Sequence, residues 1–110
     1  MAIDNSLHDA LEDTYFQIKD YFENIQLGRE HSAMIVLHEE LAHLLEGFDI
    51  EALEEQSKDI HALHAQLDDI KAVSNKVVVD LRNDDDSVTT AANVVSGLET
   101  IFSKIKKIVL

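Results

Sequence analysis

The strongest constraint on this chain is a seam of apolar residues at alternating three- and four-residue spacing, running from Ile3 to Val109. It breaks only at Gly28, Gly47 and the stretch from Asn83 to Asp86. That period belongs to α-helices with one face turned to a core. No proline interrupts it, and of three glycines only Gly97 falls inside a helical pattern. The expected fold class is therefore all-α, an antiparallel up-down-up-down four-helix bundle with coiled-coil-like packing. Residues 1–110 form its single domain. A domain of this size buries roughly two-thirds of the surface that its unfolded chain exposes, enough for a core without disulfides or metal.

Four segments carry the pattern. The first is predicted from about Ser6 to Gln26, with Leu7, Leu11, Thr14, Ile18, Tyr21 and Ile25 in one stripe. Ser6 and Asp9 have capping-box spacing, and Gly28 is expected to end the helix in a left-handed cap. The stripe then changes phase at Met34, Leu37, Leu41 and Leu44, which places a turn near Gly28–His31 and a second helix over about Ser32–Glu46. Phe48, Asp49 and Leu53 have the spacing of a hydrophobic staple around an N-cap. They open a long third helix predicted over Ile50–Arg82, with Leu53, Ile60, Leu67, Ser74 and Leu81 repeating every seven residues. At 1.5 Å per residue it would reach roughly 50 Å against roughly 30 Å for the first two. It would then overhang them or bend at Ser74–Asn75. The fourth helix is predicted over about Ser87–Ile108, seamed by Val88, Ala91, Val95, Leu98, Phe102, Ile105 and Val109. Val94, Ile101 and Ile108 flank that seam.

Charge is distributed unevenly. The net charge is -13, and residues 1–55 hold 14 Asp/Glu against only Lys19 and Arg29. A field of that sign repels nucleic acid and anionic membranes and attracts basic protein surfaces. The longest unbroken apolar run, Ala33–Leu37, is too short to cross a bilayer, and the first residues lack the pattern of a signal peptide. A cytoplasmic location is expected. The absence of cysteine removes thiolate catalysis and cysteine-ligated zinc. No nucleophile elbow or phosphate-cradling glycine loop is present. Asp84–Asp86 lacks the glycine and closing glutamate of a calcium loop.

Six histidines remain as candidates for chemistry: His8, His31, His38, His43, His61 and His64. Glu40 and His43 form one Glu-x-x-His, the pairing used in di-iron bundles, but the second copy is missing. His61 and His64 are three residues apart. Glu40, His43, His61 and His64 are thus the alternative ligand set for a His/carboxylate metal-binding bundle. The leading expectation has no metal and no cofactor.

The run Ala42-His43-Leu44-Leu45-Glu46-Gly47 resembles the Ala-His-x-Leu-Lys-Gly core of histidine phosphotransfer domains. The resemblance spans six residues. It implies an acidic four-helix bundle with His43 as phosphoacceptor and Gly47 keeping it accessible. Glu46 stands where that family carries a basic residue, and a carboxylate there repels an incoming phosphoryl group.

The leading expectation is a non-enzymatic acidic helical interaction module, such as an adaptor, small chaperone or regulatory subunit. Val77, Val78 and Leu81, at the far end of the long helix, are its expected contact residues. A homodimer or an obligate protein partner, one with a basic surface, would cover them.

Overall fold

The structure, a computed structural model, describes residues 6–47, 50–83 and 86–109. Of these, 91% are helical, and no strand occurs among them. The elements are α1 (Ser6–Asn24), a one-turn 3₁₀ helix (Arg29–His31), α2 (Ser32–Gly47), α3 (Ile50–Gln56), α4 (Ile60–Arg82) and α5 (Ser87–Val109). The overall dimensions are 45 × 22 × 20 Å.

α1 packs against α2 and α4, and α5 packs against the same two helices. Tyr15 stacks on His38 while Tyr21 meets the ring of His31, so α1 and α2 run antiparallel. The interior is lined by Leu11, Ile18, Met34, Leu41, Ile70, Leu98 and Ile101, all fully buried. Each such side chain contributes about 1.5–3 kcal/mol of transfer free energy. Gly97 of α5 packs against α4, where an added methyl would run into the Val77 side chain.

The expected long helix is in fact two. Between α3 and α4 the chain leaves helical geometry at Asp59, whose backbone is extended (φ -139°, ψ 95°). Its carboxylate accepts the Ala62 N–H at 3.0 Å, and the Ser57 hydroxyl oxygen accepts the Asp59 N–H at 3.2 Å. Two capping side chains within three residues offer the backbone a better local bond than continued helix does. The break removes the overhang. No bend is needed at Ser74–Asn75, and α4 passes through unbroken. The β-branched run after it stays helical because burial of Val77 and Val78 outweighs propensity.

Two smaller expectations also change. Gly28 is extended (φ -122°), so it is not a left-handed cap. α1 has already ended at Asn24, where the side-chain amide donates to the Asp20 carbonyl at 2.7 Å. Along α5 the buried column is Ala91, Val94, Leu98, Ile101 and Ile105, while Val95 and Phe102 are only partly covered. The helix is rotated toward the flank that carries Val94 and Ile101. The Ser6 side chain and residues 48 and 49, with the expected cap and staple, lie outside the described residues.

Candidate docking groove between α2 and α5

The rotation of α5 leaves the junction with α2 open. Leu37 and Leu44 from α2 and Phe102 and Ile105 from α5 floor a groove of about 770 Å³. Its polar lining comes from Glu40, His43, Glu99, Ser103 and Lys106. At the first turn of α5 the Ser87 hydroxyl donates to the Glu30 carboxylate at 3.1 Å, tying α5 to the segment just before α2. A backbone hydrogen bond to its own carboxylate, then the Ser87 bond and the neighbouring His31, hold the Glu30 carboxyl below the usual carboxylate range. Asp86 begins α5 by accepting the Val88 N–H and the Thr89 hydroxyl, each at 3.0 Å.

On the other side of α2, His38 anchors the helix to α1. Its Nε2 donates to the Tyr15 carbonyl at 3.0 Å, and its ring stacks on Tyr15 with centroids 4.3 Å apart. Phe22 meets the same ring edge-on. Burial among these rings pushes the His38 pKa down, and the Tyr15 carbonyl opposes that shift only in part. At the head of α2, His31 is fully buried, and its Nδ1 accepts the Gly28 N–H at 3.0 Å. These contacts hold one face of α2 inward and leave Glu40 and His43 on the groove.

The candidates read from the sequence fall in separate places. Glu40 and His43 line the groove. His61 is exposed on the first turn of α4, and His64 faces Glu54 of α3 at 3.9 Å. No three His, Asp or Glu side chains gather as a metal site among the described residues. Val77, Val78 and Leu81, expected to be exposed, are only 1%, 7% and 7% accessible. They belong to the interior of the chain and present no docking surface, because α4 begins ten residues later than expected and its far end is covered. The exposed member of that run is Val79. His43 is exposed, and Lys106 of α5 supplies the groove with a cation that the Glu46 position lacks.

Sequence reasoning missed the part that Glu99, Phe102 and Lys106 play together. Phe102 falls in the expected seam of the fourth helix, and Lys106 lies in the last turn of α5, where a cation suits the helix dipole. Only the rotation of α5 brings both to the same opening.

Among the described residues, no helix is long and apolar enough to cross a membrane. No family model matches the chain, and no curated protein or solved structure matches it at a significant level.

Proposed function

We propose that this chain is a non-enzymatic interaction module that docks a segment of another protein in the α2–α5 groove. In this reading α1, α2, α4 and α5 form an up-down-up-down four-helix bundle, with α3 as a cross-piece at one end and the cytoplasm as its setting. The groove carries the proposal: three partly covered apolar side chains, Leu37, Leu44 and Phe102, form a floor over the buried Ile105 and are ringed by polar groups. An apolar centre inside a polar rim is the usual anatomy of a protein interface. The acidic first half of the chain adds long-range attraction for a basic partner, acting mainly on the rate of association. The expected contact residues thus move from the α4 end to Leu37, Leu44 and Phe102.

A photoreactive side chain at Ser103 tests this by covalent capture, followed by binding measurements with the purified captured protein. Phe102→Asp should weaken that binding by at least about tenfold, as for a central apolar anchor, while Asp68→Asn leaves it unchanged. Equal binding by both variants would overturn the proposal.

A second reading keeps His43 as a phosphoacceptor. It is supported by the exposure of the ring and by Lys106 in the same groove. Glu40 and Glu99, also in that groove, oppose it electrostatically. Acid-labile labelling by acetyl phosphate that disappears in His43→Gln would favour this reading over docking.

A further inference from the structure

We infer that the occupant of the groove is a short amphipathic helix of another protein, with a defined charge pattern. It carries apolar residues at i, i+3 or i+4 and i+7, a Lys or Arg facing Glu40 and Glu99, and an Asp or Glu about two turns along facing Lys106. This rests on the docking reading above and adds the chemistry of the partner.

The floor sets the shape of the occupant. Leu37 and Leu44 are seven residues apart on α2, two helical turns or roughly 10 Å. An apolar stripe of the same pitch is what an amphipathic helix presents. An extended strand fits poorly. Its backbone N–H and C=O groups need partners, and both walls are helices whose own backbone groups are already bonded along their lengths. A helix brings its backbone bonds with it.

The rim sets the charge. Glu40, Glu99 and Lys106 form no ion pair among the described residues. Glu99 and Lys106 are seven residues apart on α5, so the groove has a carboxylate and an ammonium about two turns from one another. α2 contains Glu39, Glu40 and Glu46 and no Lys or Arg, so its wall offers no internal neutralisation. A partner with a basic residue at one point and an acidic residue two turns on satisfies both. A uniformly acidic helix meets repulsion at Glu40 and Glu99.

Four labelled 15-residue helical peptides with one shared apolar stripe test this by fluorescence anisotropy at low salt. Their two flanking positions, seven residues apart, carry Lys/Glu, Lys/Lys, Gln/Gln or Glu/Glu. The Lys/Glu peptide should bind tightest and the Glu/Glu peptide weakest. Glu99→Lys should weaken the Lys/Glu peptide by about five- to tenfold and strengthen the Glu/Glu peptide, with both effects fading at high salt. Asp68→Lys, the same charge change on α4, should do neither. If all four peptides bind equally and Phe102→Asp weakens them all, the docking reading stands and the charge pattern is wrong. If none binds, docking of helices fails along with it. A concentration-dependent dimer abolished by Phe102→Asp would give the groove to a second copy of the chain and overturn the inference.

Discussion

The hydroxyls of Thr14 and Ser74 lie 2.5 Å apart, with both side chains fully buried between α1 and α4. The Ala10 carbonyl lies within reach of both, 3.0 Å from the Thr14 oxygen and 3.1 Å from the Ser74 oxygen, so one hydroxyl donates to the other and the second donates to this carbonyl. This small network is the polar inclusion in an otherwise apolar contact. Removing either hydroxyl takes one buried partner from the other and leaves it the Ala10 carbonyl. Thr14→Val and Ser74→Ala should each cost about 1–2 kcal/mol, and the double variant should cost less than the sum. Urea denaturation of the three proteins measures the coupling. Strict additivity would show that the two hydroxyls act independently.

Gly97 offers a test in which local and tertiary preferences have opposite signs. Alanine is better than glycine within a helix by about 1 kcal/mol. At Gly97 its methyl would meet Val77, a β-branched side chain that is stiff at χ1 and cannot swing away. Gly97→Ala should therefore destabilise by about 1–3 kcal/mol. Adding Val77→Ala should relieve the clash and recover the benefit of the alanine. Thermal unfolding of the single and double variants decides between the two effects.

Acid should weaken the fold partly through His38. Its pKa is lowered in the folded state because burial disfavours the charged ring. The unfolded chain then takes up a proton first, at about pH 6.5. The contribution of His38 is fully present above that pH and is lost as pH falls below it. Glu30, whose pKa is also lowered on folding, adds a loss at more acidic pH still. Stability measured from pH 7.5 to 5.5 should fall, and His38→Gln should flatten that slope. An unchanged slope would assign the dependence to other groups.

Asp59 holds the start of α4 through its bond to the Ala62 N–H. Asp59→Ala should cost about 1 kcal/mol, typical of a lost N-cap, whereas Asp59→Asn should cost less. Backbone amide exchange should quicken over the first turn of α4 and not in α5. Fusion of α3 and α4 into one helix in the alanine variant would show that Asp59 also enforces the break.

Much of this was legible in the chain. Thr14 already sits in the stripe of α1, and Ser74 in the seven-residue column with Leu67 and Leu81, because helical period alone assigns the inward face. The turns at Gly28–His31 and before α5 follow from the same signal. What escaped depends on competition between neighbours. The periodic column from Leu53 through Ile60 reads as one rod, and only the capping bonds of Ser57 and Asp59 reveal the interruption. α5 is apolar on several columns, so period could not choose between Val95 with Phe102 and Val94 with Ile101. That choice is made by packing against α4 at Gly97, and it opens the groove. His31 reads as a flanking histidine, yet it is fully buried, with the N–H of Gly28 bonded to its Nδ1 and its Nε2 buried without a hydrogen-bond partner.

The Thr14–Ser74 contact joins residues 60 apart in sequence, whereas only the residues between Arg82 and Ser87 separate α4 from α5. Closing the longer loop costs more chain entropy, so the hairpin of α4 and α5 is the earlier structure to form on refolding, with α1 docking onto it later. The two contacts therefore divide kinetically. Substitutions at Val77 and Gly97 should act mainly on the refolding rate, and those at Thr14 and Ser74 mainly on the unfolding rate. With no proline to isomerise and no cysteine to pair, refolding followed by stopped flow should lack the slow phases those chemistries impose.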